Sequence, residues 1–583
     1  MKKVLALTLA LAMAFSLVAC GSSSSSSSGT EDSTSSSGAS SASEGDSTEA
    51  EGSGSSTEAE DGAESTSSDG TDDSLHDTAN IDNSVTRSSI TVAWTSATSI
   101  DPWGTDNSTA GNYEVYEMLF ETSADGEFYA LLADASKGEY GGYDHEDGST
   151  TYTVYIYDYI YDHEGNHITA SDVAYSYMYQ YENATTSNWQ TLVSVEAVDD
   201  TTVLFTFSEE LTALGALENF FSRCFIVSEN CSANLSNEMC GTGPYKFVSY
   251  TSGSTLVVEK NDDYWQTDES LRRQESQANV QTITYQFVDE GNSRETGLQS
   301  GALDMVYDMS YDNLDSFLDG GDYADQYDVY SYAQKFVYFL SPNCSEDMPT
   351  GDVNLRLAIF NAIDQDGLIT ALGDNYKRLY SFASDYYSDY DYVDWASLDN
   401  YNTRTSVDTD LVAEYLSQSS YNGETLTIIT LSTYNDVATV IAAQLAAVGI
   451  NAEVKGLDQA TLTSTTGDSS AWDLMLGMMA GDYNVNAWSH GFDYNSNGGS
   501  GSATGYFTVN DEWQALLELC NTVEGHTSEN MEAWWQMAVD NAYTMGLFTG
   551  NSYDVVPADC TYVCLSDRQN LLPGACCFDG SVE

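Results

Sequence analysis

Alternating apolar and polar positions predict strands in the first half of the chain. The segment TYTVYIYDY (151–159) alternates between two faces, and TTVLFTF (201–207) does the same. This two-residue period is typical of strands. Between the two segments, Thr169 stands three residues before Asp172, which is the spacing of a helical capping box. Apolar and aromatic residues then recur at helical spacing. The pattern predicts a strand, a helix and a further strand.

The segment CGTGPYKFVSYTSGSTLVVEKNDDYW (240–265) has closely spaced glycines that could indicate a phosphate-binding loop. Such loops lead into a helix whose N-terminus holds the anion. Here Pro244 follows Gly243, and two strand-like runs joined by the turn TSGS come next. The pattern therefore predicts a β-hairpin, with the glycines serving a tight backbone path.

The second half of the chain carries longer helical patterns. TLTIITL (425–431) predicts a strand, NDVATVIAAQLAAVGI (435–450) a helix that ends at Gly449, and INAEVKGL (450–457) another strand. This order is a βαβ unit with a right-handed crossover. VNLRLAIFNAIDQDGLI (353–369) predicts an earlier helix. We expect an α/β protein with two lobes and without an internal repeat.

The N-terminus predicts export. Two lysines precede a short apolar run and the sequence Leu-Val-Ala-Cys, so residues 1–20 are predicted to be a signal peptide. The run is too short for a comfortable membrane span. The ending resembles a bacterial lipobox, which predicts lipidation of Cys20; plain secretion, with Cys20 removed or free, is the alternative. Residues 21–85 are dominated by Ser, Gly, Thr and acids, which predicts a disordered tether.

Charge and cysteine content limit which ligands and which disulfide or metal sites we expect. The chain has 17 basic and 91 acidic residues, a net charge of −74. The electric field of this negative charge repels nucleic acid and attracts cations, including basic peptides, although an acidic surface that only maintains solubility is an alternative.

Nine cysteines follow Cys20. Because the count is odd, at least one is free or pairs between chains. Export permits disulfides, but their connectivity stays open. We expect neither a metal site nor a cofactor.

The order of these segments resembles one known family. SIDPWGT, the long block from TYTVYIYDY to ASDVAYSY, GTGPYKFVSY, GALDM, VNLRLAIFNAID and VIAAQLAAVGINAEV follow one another between about residues 90 and 510. In this order they resemble the extracellular solute-binding proteins of peptide-type ABC transporters, the oligopeptide- and dipeptide-binding family. The resemblance implies a two-lobed periplasmic-binding-protein-like fold that closes on its ligand, has an additional subdomain in the first lobe, and performs no catalysis.

The resemblance also implies a domain plan and partners. We expect a first lobe at 86–330 with a subdomain at about 131–239, a second lobe at 331–554, and a return to the first lobe at 555–583. The protein would be a monomer that hands a peptide to ABC permease subunits. The lipid would hold it at the outer face of the bacterial cytoplasmic membrane, in a Gram-positive cell envelope.

The resemblance implies a ligand site in the second lobe. In peptide-binding members, a loop of the form W-x-x-D-x-x-D/E-P supplies an aspartate that pairs with the ligand's α-ammonium. Here the loop reads MAGDYNVNAW (479–488), which places Asp482 at that position. Met479, Val485 and Asn486 replace the usual Trp, acid and Pro, so the pocket wall and the solute stay open. Further candidates are Trp103, Tyr483 and Trp488 for the wall, and Arg378 and Arg404 for the ligand carboxylate.

Three other functions remain as alternatives at this point. The same fold could bind an oligosaccharide, which the 41 tyrosines and the missing Trp favour, or a nickel complex. A secreted hydrolase is disfavoured because neither a G-x-S-x-G elbow nor an H-E-x-x-H helix is predicted. A purely structural surface protein is disfavoured by the α/β blocks.

Overall fold

The computed structural model of the protein describes residues 73–97, 99–104, 110–138, 140–145, 147–183, 191–211, 215–289, 291–373, 376–379, 392–398, 407–480 and 511–581. In these ranges the strands are β1 Ile90–Trp94, β2 Phe120–Thr122, β3 Phe128–Ala130, β4 Gly141–Asp144, β5 Thr150–Tyr155, β6 Leu192–Asp199, β7 Thr202–Phe207, β8 Tyr245–Thr251, β9 Thr255–Lys260, β10 Thr282–Phe287, β11 Met305–Val306, β12 Tyr327–Ala333, β13 Phe336–Pro342, β14 Tyr376–Arg378, β15 Leu426–Leu431, β16 Ala452–Leu457, β17 Leu474–Ala480, β18 Met545–Pro557, β19 Cys560–Tyr562 and β20 Cys577–Phe578. The helices are α1 Asn112–Val115, α2 Ala170–Glu182, α3 Ala216–Phe221, α4 Gly291–Gln299, α5 Val353–Asn361, α6 Gln365–Leu372, α7 Thr409–Gln418, α8 Asn435–Ala447, α9 Gln459–Thr466, α10 Asp511–Cys520 and α11 Ser528–Asn541.

One large sheet runs through the molecule. Its strand order is β16-β15-β17-β13-β18-β11-β1-β10-β9-β8, and β12 and β14 also pair with β18. We call β1 and β8–β12 the first strand group, and β13–β17 the second strand group. The long strand β18 belongs to both, because its beginning pairs with β13 and β14 and its end pairs with β11 and β12.

The glycine-containing segment forms the predicted hairpin. β8 and β9 are antiparallel and join β10 at the edge of the first strand group. A Cβ atom on Gly243 would overlap the backbone carbonyl of Glu114, and one on Gly241 would overlap that of Val115. The glycines therefore allow two backbones to touch, as the sequence predicts.

A four-stranded antiparallel sheet, ordered β4-β5-β7-β6, forms a separate layer in the region where the subdomain is expected. The helix α2 covers it, and Thr169 and Asp172 form the predicted capping box. Val173 and Tyr177 of α2 are fully buried in an apolar cluster that also contains side chains of β5 and of β7. The cluster contains buried residues between Leu119 and Ile226, together with Tyr264 and Trp265.

The second strand group contains the predicted βαβ unit. β15 and β16 are parallel, with Leu426 opposite Ala452, and α8 connects them. The helix ends before Gly449, which has a φ of +89° that favours glycine. Apolar residues of α5, α6, α8, β15 and β17 form one cluster beneath this part of the sheet.

Both ends of the described chain pack on the first strand group. Leu75 is only 5% exposed and lies in the same apolar cluster as Val92 and Tyr285. The predicted tether at 21–85 is therefore too long at its C-terminal end, because an apolar residue within a polar segment reaches the core. Residues after β18, from Cys560 to Phe578, contribute to this cluster as well. The predicted lobe boundaries stay predictions, and Cys20 and the signal peptide lie outside the described residues.

None of the described helices combines the length and the apolar character needed to cross a bilayer.

Candidate functional site

Parallel strands of both groups end at the junction between the groups. β10 and β11 are parallel to β1, and β11 is antiparallel to β18, with Val306 opposite Val555. Since β18 runs from the second group into the first, the carboxyl ends of β1, β10 and β11 point toward the second group. In the second group, β15, β16 and β17 are parallel to one another, and β17 and β18 are both antiparallel to β13. Their carboxyl ends therefore point toward the first group.

Ligands of open α/β sheets bind in the crevice outside the carboxyl ends of the strands. In this protein two such sets of strand ends are opposed. We call the region between them the cleft. It is the candidate ligand site because residues from both strand groups can contact one solute there.

The chain passes between the groups at two neighbouring places, residues 333–336 and residues 549–551, which we call the crossing. The backbone N–H of Gln334 donates to the carbonyl oxygen of Gly550 at 3.0 Å. The hydroxyl of Thr549 donates to the carbonyl oxygen of Gln334 at 3.2 Å. These bonds hold the two connections side by side at the base of the cleft.

The strand β17 leads directly into the predicted ligand loop. Its last residue, Ala480, pairs with Phe336 at the crossing, and Met479 pairs with Val337. The backbone of Met479 is thus at the end of a strand that points into the cleft. The remaining candidates of this loop, Asp482, Tyr483 and Trp488, lie outside the described residues. The start of the loop is at the cleft, and the ligand roles of these side chains stay predictions.

Trp103 lies where the residues after β1 meet the subdomain. Its Nε1 donates to the carbonyl oxygen of Phe225 at 2.9 Å. Its ring lies 4.8 Å from that of Tyr179 and 6.0 Å from that of Tyr175, both on α2. The indole is 6% exposed. These contacts fix the indole between two layers of the first lobe, and its place in the ligand wall stays a prediction.

Two aromatic pairs at the strand ends were not identified from sequence. In the first group, Tyr307 follows β11 and stacks on Trp94, the last residue of β1, with ring centroids 4.2 Å apart. In the second group, Tyr434 follows β15, and its ring meets that of Tyr338 edge-on at 5.3 Å. The Tyr434 hydroxyl donates to Sδ of Met478 at 3.5 Å. Of these four aromatic residues, Tyr434 alone follows a predicted strand, 425–431, and that position was the available signal.

Two carboxyl groups lie beside the first aromatic pair. The backbone N–H of Asp308 donates to Oδ1 of Asp554 at 2.8 Å, and Arg294 donates to the carbonyl oxygen of Asp308 at 2.9 Å. Burial raises the pKa of both carboxyl groups. Arg294 bonds to the backbone and lowers both pKa values less than burial raises them. Burial therefore favours the protonated, neutral form of both carboxyl groups on this side of the junction.

The structure describes one of the two arginine candidates for the ligand carboxylate. Arg378 lies in β14, and its Nη1 is 3.3 Å from the carboxylate of Asp366. A ligand carboxylate at this place would compete with Asp366 for the guanidinium. Arg404 lies outside the described residues, so its role stays a prediction.

A small cavity of about 10 Å³ lies within the first lobe and is lined by Glu117, Glu121, Glu275 and Asp567 among others. The carboxylate of Glu117 accepts hydrogen bonds from Tyr264 (2.5 Å) and Trp265 (2.7 Å), and that of Glu121 accepts one from Tyr129. Burial raises the pKa of Glu117 to about 7. Ligand pockets usually occupy about 300–1,000 Å³, whereas this cavity has room for one water molecule at most. Glu117 and Glu121 serve internal hydrogen bonds, and the cavity is too small for a ligand.

One motif in the chain matches a zinc-protease pattern by letter. Residues 163–167 read H-E-G-N-H, but they form a turn with Gly165 at a φ of +82°, whereas the protease motif requires a helix. His163 Nε2 contacts the carbonyl oxygen of Gly243 at 3.0 Å, and His167 Nε2 contacts that of Asp158 at 2.8 Å. The two imidazoles contact different backbone carbonyl groups. Burial lowers the pKa of His163 to about 4.

Solved structures share this fold. The oligopeptide-binding protein AppA from Bacillus subtilis, in complex with a nonapeptide, aligns with a TM-score of 0.60 at 17% identity, covering 83% of this chain and 97% of that chain. A nickel ABC transporter structure from Bacillus halodurans aligns with a TM-score of 0.62 at 17% identity, covering 81% and 96%. At these identities the similarity establishes the two-lobed fold, as the sequence predicts, and not the ligand.

Sequence comparison identifies the family. The dipeptide-binding protein DppE from Bacillus subtilis (strain 168) is 24% identical over 216 residues, which are 36% of this chain and 37% of that protein. The chain therefore matches well under two thirds of this relative's length. The family described as bacterial extracellular solute-binding proteins, family 5 Middle, matches residues 127–501. Because that match covers more than half of the chain, the protein belongs to the family 5 extracellular solute-binding proteins, as the order of its segments predicts.

Proposed function

We propose that this protein is a lipid-anchored receptor that binds peptides between two closing lobes and delivers them to an ABC permease for import. The observation that carries the proposal is the pair of opposed strand ends, with the loop of Asp482 starting at the crossing between them. Two similar proteins, DppE and AppA, are named as a dipeptide-binding and an oligopeptide-binding protein. A receptor of this kind acts by binding and release and needs no catalytic residue.

The chemistry of the cleft suits a peptide. Its N-terminal ammonium is a cation, and the protein has a net charge of −74 that attracts cations. Tyr307, Tyr338 and Tyr434 are partly exposed and offer aromatic surface at both sides for side chains of varied shape. Bending at the crossing would bring the two sides together on the ligand.

Native mass spectrometry of the freshly purified protein, combined with small-angle scattering, tests this function. We expect co-purified peptides that dissociate on unfolding, and a smaller radius of gyration after a peptide is added back than in the ligand-free protein. Free amino acids at the same concentration serve as the control and should leave the radius unchanged. Protein that carries no peptide and shows no change of radius with a diverse peptide mixture would contradict the proposal.

A non-peptide solute is the second candidate. The aromatic pairs at the strand ends suit stacking on an oligosaccharide, and the loop at 479–488 lacks the usual Trp. The nickel ABC transporter structure from Bacillus halodurans has the same fold, which supports a metal complex as an alternative solute. In the same mass-spectrometry experiment, a bound sugar or metal complex in place of peptides would favour this candidate.

We also propose that Cys20 carries the lipid anchor. The apolar run before it can direct export but is short for a membrane span. A single acyl chain binds membranes only marginally, so we expect two or more chains on Cys20. The variant Cys20→Ala should appear in the culture medium or accumulate unprocessed, as measured by cell fractionation. A variant that stays membrane-bound and is processed normally would refute the anchor.

A further inference from the structure

Four cysteines lie close together in the C-terminal segment. Cys560 and Cys577 belong to the short antiparallel strands β19 and β20, in which Cys560 lies opposite Phe578 and Tyr562 lies opposite Cys577. Cys564 and Cys576 follow and precede these strands. All four side chains are at most 3% exposed, and all belong to the apolar cluster of the first strand group.

Two of the four thiols contact each other. The sulfur atoms of Cys560 and Cys576 lie against each other. Each thiol donates to a backbone carbonyl oxygen, that of Tyr562 at 3.5 Å and that of Leu572 at 3.4 Å. The backbone N–H of Cys564 donates to Sγ of Cys576 at 3.4 Å, which holds that sulfur beside β19. Cys577, although adjacent in sequence, faces another way, because its Sγ lies 3.4 Å from Oδ1 of Asn83 and 3.6 Å from Nε2 of Gln274.

We propose that Cys560 and Cys576 form a disulfide bond in the exported protein. Members of this family are extracellular, and disulfides persist in that compartment. The structure already contains one disulfide, between Cys231 and Cys240, so the chain uses such bonds elsewhere in the first lobe. Two thiols in contact need only a small movement to bond, whereas distant cysteines would need the backbone to move.

The reaction is a thiol–disulfide exchange. The thiolate of one cysteine attacks the disulfide of an oxidising dithiol–disulfide oxidoreductase and displaces one of its thiols. The second cysteine then attacks the mixed disulfide, so that the S–S bond of Cys560–Cys576 forms and the oxidoreductase leaves with two thiols. The protein loses two protons and two electrons, and the oxidoreductase gains them. Because the folded segment buries both sulfurs, the exchange must occur before the segment packs.

The bond would close a loop whose tip lies at the crossing. Within the segment from Cys560 to Cys576, Gln569 donates from Nε2 to the carbonyl oxygen of Ala333 at 2.7 Å. Its Oε1 accepts from the backbone N–H of Lys335 at 3.3 Å. The disulfide thus fixes the base of the loop that braces the connection between the lobes.

Peptide mapping of the exported protein under non-reducing conditions tests the bond. The protein is unfolded in acid with a thiol-blocking maleimide and digested before aspartate, which yields Asp559–Ser566 and Asp567–Phe578. We expect these two peptides to remain linked and to separate on reduction. With one maleimide on Cys564 and one on Cys577, their mass should be about 2 Da below the sum of the two labelled peptides. Chymotryptic cleavage after Tyr562 then distinguishes Cys560 from Cys564, and fragmentation distinguishes Cys576 from Cys577.

Serine variants give the matched comparison. The variants Cys560→Ser and Cys576→Ser should lose the linkage, whereas Cys564→Ser and Cys577→Ser should keep it. Maleimide on all four cysteines of the wild-type protein, or a linkage through Cys564 or Cys577, would overturn the proposal. The peptide map of the wild-type protein tests the Cys560–Cys576 bond even if a variant does not fold.

Discussion

Replacing Asp482 with Asn is expected to weaken peptide binding by about 10² to 10³-fold. In the proposed complex, the peptide's α-ammonium is buried between closed lobes, where an unpaired ion is very costly. Asn keeps the shape of the side chain but removes its charge. Losing one partner of a buried ion pair typically costs about 3–5 kcal/mol, and about 1.4 kcal/mol corresponds to a tenfold change in affinity. Isothermal titration calorimetry with one peptide that co-purifies with the protein measures the change.

An acetylated peptide completes the test of Asp482. Acetylation of the N-terminus removes the same ion pair from the other side, so it should weaken binding to the wild-type protein by a similar factor. The two changes together should cost little more than either alone, because they delete one interaction. Asp468→Asn is the matched control. Asp468 is exposed and precedes the first residue of β17, at the end of the strand that points away from the cleft, and an exposed charge that water and salt screen should contribute little.

Two outcomes would reject the role of Asp482. One is wild-type affinity of Asp482→Asn for the unmodified peptide. The other is full additivity of the substitution and the acetylation, which would mean that they act on different interactions. Either result would shift the balance toward a non-peptide solute, since the rest of the loop already departs from the peptide-binding pattern at Met479, Val485 and Asn486.

Elements whose signals are local were predictable from sequence. The capping box of α2 depends on two residues three positions apart, and the hairpin β8–β9 depends on a turn of four residues. The βαβ unit around α8 has the expected order because its apolar spacing and its terminal Gly449 lie within one segment. Each of these signals is complete within about 30 residues.

Contacts between distant segments were not predictable in this way. β18 pairs with strands that lie more than 150 residues earlier, and no local pattern shows that it joins both strand groups. Leu75 packs in the core although its neighbours are polar. Glu114 is buried with its carboxylate 2.5 Å from the Tyr285 hydroxyl, and in a chain with 91 acids nothing in sequence distinguishes it from a surface residue.

In the candidate site, too, one part was predictable from sequence and another part depends on contacts between distant segments. The position of its loop could be inferred from family resemblance, and the pairing of Ala480 with Phe336 places the start of that loop at the crossing. The aromatic pairs Trp94–Tyr307 and Tyr338–Tyr434 arise from strands that are far apart in the chain. Their assignment needs the strand order of the sheet, which the periodicity of single segments does not contain.

Substituting Gly243 by Ala is expected to destabilise the first lobe strongly. The added Cβ would overlap the carbonyl oxygen of Glu114 and lie 2.8 Å from the carbonyl carbon of Val115. Both are backbone atoms, and neither can swing aside as a flexible side chain would. The N–H of Gly243 also donates to the carbonyl oxygen of Val115 at 2.9 Å, so moving the hairpin away would break that bond.

We expect a cost of at least about 3 kcal/mol, within the range of severe steric substitutions, and a melting midpoint lower by roughly 6–12 °C. Differential scanning calorimetry of the ligand-free protein measures it. Gly467→Ala is the control, since Gly467 is exposed, has a φ of −70° and would place its Cβ 3.4 Å from the nearest atom. That variant should melt within about 2 °C of the wild type, because open surface substitutions usually stay within ±0.5 kcal/mol. Equal midpoints for Gly243→Ala and the wild type would mean that the backbones of the hairpin and of α1 do not touch as the structure shows.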